Sequence, residues 1–117
     1  DLIERKSIIM QGMEEVSFKI IASVGEAKSL IMSAIGLAGE NNFDEANEQL
    51  KQAKEKFVVA HNAHFEMIQA EASGEQVELG LLLVHAEDQL MTTSLMHEMA
   101  GQMMYRKMYE LHDDKGA

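Results

Sequence analysis

The 117-residue chain has no cysteine, no proline and no tryptophan. The absence of cysteine excludes disulfides, thiolate zinc sites and thiol nucleophiles. Without proline, no residue in the sequence forces a helix to kink or stop. Methionine, in contrast, occurs ten times and hydrophobic residues make up 46% of the chain. Together with abundant Ala, Leu, Glu and Lys, this composition favours long helices and predicts an all-α protein.

Basic residues are scarce, with 10 Lys and Arg against 20 Asp and Glu, which gives a formal net charge of -10. This balance disfavours nucleic acid and anionic membrane surfaces, since both bind clustered basic side chains. An apolar stretch at residues 79–84 is far too short to span a bilayer, and the first residues lack the order of a signal peptide. We expect a cytoplasmic protein without nucleic-acid partners and without direct membrane insertion.

Three segments repeat apolar residues at steps of three and four, the spacing of an amphipathic helix. The predicted helices cover roughly residues 14–40, residues from Phe43 onward, and about residues 76–112. Asn42 with Glu45 is predicted to cap the second helix, and Ser73 with Gln76 the third. Short turns between long helices favour an antiparallel three-helix up-down-up bundle. Residues 14–117 would form this single domain, and residues 1–13 an N-terminal extension.

The third predicted helix carries a broad apolar stripe at near-heptad spacing. Its members are Leu81, Val84, His85, Asp88, Thr92, Leu95, Met99, Met103 and Tyr109. Further Leu and Met residues widen the stripe beyond what two partner helices would cover, so we expect part of it to face another subunit. His97 and His112 are expected to be solvated residues favoured by the helix C-terminal dipole.

His85 and Asp88 are three residues apart and share one face of this helix, with Thr92 one turn further on. Two interpretations are open. A core histidine hydrogen-bonded to a nearby carboxylate has the same spacing. Alternatively, in a trimer with this helix near its axis, three copies of Asp88 would share one hard divalent cation. His85 would then be a neutral imidazole available as a nucleophile.

Several segments, in order, make the chain similar to a known family. They are residues 25–29, Asn42-Phe43 with Ala46, Ala60-His61, residues 71–75 and residues 85–93. Over roughly residues 14–112 the chain resembles the lactose/cellobiose (chitobiose) type of enzyme IIA of the bacterial phosphoenolpyruvate-dependent sugar phosphotransferase system.

The resemblance implies a homotrimer of three-helix subunits that serves the uptake of a β-linked disaccharide. In such a protein His85 would accept a phosphoryl group from the phosphocarrier HPr and pass it to a cysteine of the cognate enzyme IIB. Asp88 would bind a divalent metal, of the Mg²⁺ kind, on the threefold axis. The sequence has no Gly-rich phosphate loop, so we expect the phosphoryl group to come from a protein and not from a bound nucleotide.

Three positions near this expected site depart from the family pattern. His64 and Glu87 stand where glutamine is usual, and Gln89 stands where a second histidine is usual. A histidine lost at 89 and gained at 64 would amount to an exchange between two helices that keeps one imidazole and one amide in place. The predicted neighbours of the phosphoryl site are His61, His64, Glu87, Gln89 and Thr92.

Two other functions are compatible with the sequence. One is a structural or regulatory trimer with the same fold that is deficient in phosphotransfer, because Glu87 would repel a phosphorylated His85. The other is a helical interaction module whose Met-rich stripe binds a partner helix, with His85 and Asp88 in packing roles only.

Overall fold

The computed structural model describes residues 1–77 and 79–116, with their side chains except at residues 5–11 and 112–116. Over this part of the chain the elements are α1 (Leu2–Gly39), α2 (Phe43–Ala72) and α3 (Leu81–Gly116), with no strand. The all-α prediction is confirmed. Helix α1 begins at Leu2, inside the segment predicted as an extension; the division into domains stays a prediction. The side chain of His112 lies outside the described residues.

Contacts of α1 fix the direction of the other two helices. Lys56 Nζ on α2 lies 2.9 Å from Glu26 Oε2, and α2 follows α1 after the short turn at residues 40–42, so the two helices are antiparallel. Lys107 Nζ on α3 donates to the Gly39 carbonyl at 2.6 Å. This bond joins the last part of α1 to the last part of α3, as expected for helices that run in parallel.

Contacts between α2 and α3 complete the arrangement. His64 near the end of α2 meets Glu87 near the start of α3 at 3.1 Å. His97, further along α3, meets the Leu50 carbonyl in the first half of α2 at 2.9 Å. The later residue of α3 therefore contacts the earlier residue of α2, and these helices are antiparallel.

Small and branched apolar side chains form one core between the three helices. The buried members are Ile20, Val24, Ala27, Ile31, Ala34, Ala38, Ala46, Leu50, Ala53, Phe57, Ala60, Ala63, Met67, Leu83, Ala86, Leu90 and Ala100. Because alanine supplies so many of these contacts, the helix backbones can approach closely. On α1 and α2 these buried residues recur at the steps of three and four that the sequence predicts for each helix. Val16, Phe43 and His64 continue the same two faces and are half-buried.

Helix α3 does not bury the stripe that its heptad spacing suggests. Leu81 is 87% exposed and Met91 72% exposed, and Leu95 and Met99 are also exposed. The core side of α3 is instead the face that carries Leu83, Ala86, Leu90, Thr93 and Ala100. Both faces of this helix are apolar, so its periodicity could not tell which one packs against α1 and α2.

The two turns between helices use left-handed residues. Asn41 has φ 66° and Gly74 has φ 96°. In each turn the amide of the third residue after the helix bonds a carbonyl five residues back, Asn42 N to Leu37 O at 2.9 Å and Glu75 N to Ala70 O at 3.0 Å. This Schellman pattern satisfies carbonyl groups that the helix end would leave unpaired.

Two predicted helix caps are wrong in detail. Helix α2 begins at Phe43 as predicted, but the Asn42 side chain makes no capping hydrogen bond. Ser73 ends α2 and does not cap α3: its hydroxyl donates back to the Ala70 carbonyl at 2.9 Å. Helix α3 begins only at Leu81. Local sequence does not separate a serine that ends one helix from a serine that starts the next.

Residues Gly12–Gly39 of α1 are long and apolar enough to cross a membrane by length and composition alone. The packed core helix of a water-soluble protein meets the same criterion. In this fold one face of α1 contacts α2 and α3, while other apolar side chains of the segment, among them Phe18 and Met32, are exposed.

The left-handed turn at Gly74 allows a test of the fold. Gly74→Ala should lower the free energy of unfolding by about 1 kcal/mol, because an L-residue is strained at this φ. Gly36→Ala, within α1 and with nothing near the added Cβ, should raise it by roughly 0.5–1 kcal/mol. Urea unfolding at one protein concentration measures both, and equal effects of the two substitutions would contradict the assigned turn.

Candidate functional site

The polar residues of the expected site are distributed around α3. Successive side chains turn by about 100° along a helix. Asp88 therefore lies near the middle of the exposed face, His85 on one edge of that face and Glu87 on the other. Because His85 and Glu87 differ by about 200° around the axis, these two side chains leave the helix in nearly opposite directions.

His85 is exposed on the first turns of α3. Within the described part of the chain, no side chain or backbone group hydrogen-bonds its ring. Gln89 and Thr92 flank it along the same edge at helical spacing. The Thr92 hydroxyl is already engaged, since it donates to the Asp88 carbonyl at 2.8 Å. His85 therefore presents an imidazole that an approaching molecule can reach.

His64 and Glu87 bind each other. His64 Nε2 lies 3.1 Å from Glu87 Oε1, and the two side chains are 26% and 41% exposed. Two of the three departures from the family pattern are thus in direct contact. Within one chain His64 meets Glu87 and not Gln89, so a phosphoryl site that contains both His64 and Gln89 would need a second subunit.

Two further histidines with described side chains, His61 and His97, pack against Phe57. The exposed His61 ring lies 6.2 Å from the Phe57 ring, centroid to centroid. His97 meets the same ring edge-on at 5.7 Å and 85°. His97 was predicted to be solvated; it is half-buried, and its bond to the Leu50 carbonyl holds α3 to α2. In the sequence, the signal for this partial burial was the position of His97 seven residues after Leu90, which is itself buried.

The predicted site residues fall into two groups within one chain. Lys107, about five full turns after Gln89 and so at the same angle, bonds α1 through the Gly39 carbonyl. The edge of α3 that carries His85, Gln89 and Thr92 therefore faces the α1 side. His61, His64 and Glu87 belong to the α2 side. A single subunit does not bring the two groups together.

Metal ligands are sparse within a subunit. Among the described residues, no three His, Cys, Asp or Glu side chains form a group that could hold a metal ion. Asp88 contributes one exposed carboxylate on an apolar face. Its oxygens suit a hard divalent cation, but several such carboxylates are needed to bind one, so this residue fits a metal only together with copies from other subunits.

The chain matches a known protein family in sequence and a solved structure in fold. Residues 15–109 match the family model described as the lactose/cellobiose-specific IIA subunit of the phosphotransferase system. The crystal structure of the cellobiose-specific enzyme IIA from Bacillus anthracis superimposes with a TM-score of 0.83 at 34% identity, over 86% of this chain and 92% of that one.

Two relatives from Bacillus subtilis (strain 168) are similar over most of their length. The oligo-beta-mannoside-specific EIIA component is 40% identical over 91 residues, covering 78% of this chain and 83% of the relative. The lichenan-specific phosphotransferase enzyme IIA component is 39% identical over 100 residues, covering 84% and 91%.

The helical fold and these matches define a subunit of a phosphotransferase system. More narrowly, the chain belongs to the lactose/cellobiose-specific IIA family, so it is a sugar-specific EIIA component of that system.

The bond from His97 to the Leu50 carbonyl can be tested by stability. His97→Ala should lower the free energy of unfolding by roughly 1–3 kcal/mol, because it removes both a half-buried hydrogen bond and an edge-on aromatic contact. His61→Ala, exposed on the neighbouring helix, should change it by less than about 0.5 kcal/mol. Denaturant unfolding at fixed protein concentration checks this, and a His97 variant as stable as the His61 variant would contradict the packing.

Proposed function

We propose that this EIIA component is a phosphohistidine carrier in which His85 accepts a phosphoryl group from HPr and passes it to enzyme IIB. The observation that carries the proposal is the exposed His85 ring on α3. Of the histidines with described side chains, His64 and His97 hydrogen-bond across helices and His61 rests on Phe57. His85 is the exposed ring that makes no hydrogen bond and no aromatic contact with the described residues.

The chemistry requires little from the chain beyond position. A neutral ring nitrogen of His85 attacks the phosphorus atom of the donor phosphohistidine; the new N–P bond forms as the donor's N–P bond breaks. In the second step a cysteine thiolate of enzyme IIB attacks the same phosphorus, and the His85 nitrogen leaves. Holding the nucleophile in line with the phosphoryl group supplies much of the rate in such reactions.

The orientation of Glu87 favours transfer over the phosphotransfer-deficient alternative. That alternative requires the Glu87 carboxylate to lie near a phosphorylated His85. In the structure Glu87 is bound to His64 on the α2 side, while His85 leaves α3 in nearly the opposite direction. Repulsion within one subunit is therefore weak, and a Glu87 carboxylate presented by a neighbouring subunit would already be bound to its own His64.

The exposed stripe of α3 supports a homotrimer. Leu81, Met91, Leu95 and Met99 form an apolar row with Asp88 in its midst, and α1 and α2 leave this row uncovered. Three copies of α3 around an axis would bury the row and bring three Asp88 carboxylates together. A shared divalent cation, with Mg²⁺ the expected species, would balance their charge when bound.

The same assembly would join the two groups of site residues. The α1-side edge of one α3, with His85, Gln89 and Thr92, would lie beside the α2-side edge of a neighbour, with His61, His64 and Glu87. The phosphoryl site would then be a crevice between subunits. The net charge of -10 would steer a donor with a basic docking face toward it.

The names of the relatives indicate a class of transported sugar and not an individual sugar. Their names specify oligo-beta-mannoside, lichenan, lactose and N,N'-diacetylchitobiose. A β-linked disaccharide is the proposed cargo of the system, and the cytoplasm, where HPr and enzyme IIB act, is the proposed location.

Phosphorylation of His85 is directly measurable. Incubation with phosphoenolpyruvate, enzyme I and HPr should add one acid-labile phosphate to the intact protein, because the donor nitrogen can reach His85. The adduct should be absent in His85→Ala and present in the matched variant His97→Gln, a histidine substitution outside the proposed crevice. Intact-mass spectrometry reads all three. An unmodified protein in the presence of phosphorylated HPr would favour the phosphotransfer-deficient alternative.

The trimer and its metal are tested through the α3 stripe. Sedimentation should show a trimer that EDTA weakens, because three carboxylates then repel one another. Asp88→Leu should remain trimeric and lose the sensitivity to EDTA, since leucine continues the apolar row. The matched variant Leu95→Asp, one heptad further along the same row, should dissociate the trimer. If the protein sediments as a monomer, and neither EDTA nor the two substitutions change its mass, the result would support the helical interaction module instead.

A further inference from the structure

The His64–Glu87 contact joins α2 to the first turns of α3, where the proposed reactive residue lies. Glu87 stands between His85 and Asp88 in the chain, and its Oε1 is 3.1 Å from His64 Nε2. Among the described residues, the other side-chain hydrogen bonds from α3 to α1 or α2 lie farther along α3. They join His97 to the Leu50 carbonyl and Lys107 to the Gly39 carbonyl. At the level of His85, the side-chain bond that restrains α3 is the one at Glu87.

A bond at this position restrains rotation of α3 about its own axis. Leu83 and Ala86 bury apolar side chains against the core, and the hydrophobic effect that drives this burial has no preferred direction. A hydrogen bond does have a preferred direction. Because Glu87 leaves the helix nearly opposite to His85, fixing Glu87 against α2 also fixes the direction of the His85 ring.

We propose that His64 and Glu87 are interdependent positioning residues that set the orientation of His85 for phosphoryl transfer. This inference rests on the carrier function proposed above. The side-chain envelope of a helix has a radius of about 5–6 Å, so a roll of roughly 20° would displace the imidazole by about 2 Å. Displacements of about 1 Å at a reacting group can cost on the order of a hundredfold in rate.

The pair should behave as a unit because each partner needs the other. Without Glu87, the His64 ring loses its acceptor; without His64, the carboxylate is left half-buried without its partner, which is unfavourable. Glutamine at both positions would again offer one amide donor and one carbonyl acceptor across the two helices. The departures at 64 and 87 are then a joint replacement of one interhelical bond by another.

The inference is tested with His64→Ala and Glu87→Ala, each of which removes one partner of the bond, and with the double variant H64Q/E87Q, which replaces the bond. The rate of phosphorylation by phosphorylated HPr is measured over a range of donor concentrations. Each single variant should lower kcat by about tenfold with KM nearly unchanged, because the ring is misdirected while the docking surface is intact. The double variant should return to within about threefold of the wild type.

The control is His97→Gln, which alters the other side-chain bond between α2 and α3, away from His85. It should reduce stability while leaving kcat within about twofold of the wild type. If His97→Gln lowers kcat as much as the single variants at 64 and 87, the effect is general loosening of the bundle and the positioning role is overturned. Losses in the double variant that equal the product of the single losses also overturn it.

Nitrogen-15 NMR of the histidine rings gives a readout independent of transfer. The His85 ring signals should move in each single variant and return in H64Q/E87Q; unmoved signals would overturn the inference. If the wild type fails to accept phosphate while these signals still shift and return, the carrier function fails and the positional coupling stands. The two hypotheses are thus separable in one set of proteins.

Discussion

The fold depends on a helix that is apolar on two faces and has neighbours on only one of them. Helix α3 buries Leu83, Ala86 and Leu90 against α1 and α2, and leaves Leu81, Met91 and Leu95 exposed. An uncovered apolar row of this length is unfavourable in water and is relieved by association. Asp88 in the same row sets the condition: association must bring carboxylates together with something that balances their charge.

The same geometry separates the predicted site residues within one subunit. The residues flanking the apolar row belong to its two edges, one beside α1 and one beside α2. Covering the row with another α3 brings unlike edges of neighbouring subunits together. The same packing step would therefore bury the row, bring the Asp88 carboxylates together and form a crevice at His85, with no large rearrangement within the bundle.

Much of the fold could be predicted from the sequence where one stripe dominates. Helices α1 and α2 each have a single apolar face, so periodicity located their buried residues. Helix α3 has two, and its stronger heptad signal marked the exposed face. The start of α3 and the role of Ser73 depend on a left-handed turn at Gly74, which local sequence allows but does not require. Pairing of His64 with Glu87 depends on the α2–α3 register, which only tertiary packing sets.

The charge distribution around His85 follows from the same geometry. Glu87 is closer in sequence to His85 than Asp88 is, yet it lies almost opposite on the helix and is bound to His64. Asp88 is separated from His85 by only about 60° around the axis, so within one subunit it is the carboxylate whose field a phosphorylated His85 would feel. Charge balance at Asp88, proposed above for assembly, would therefore also reduce repulsion at the carrier site. In the proposed trimer, assembly and transfer would in this way be linked through one carboxylate.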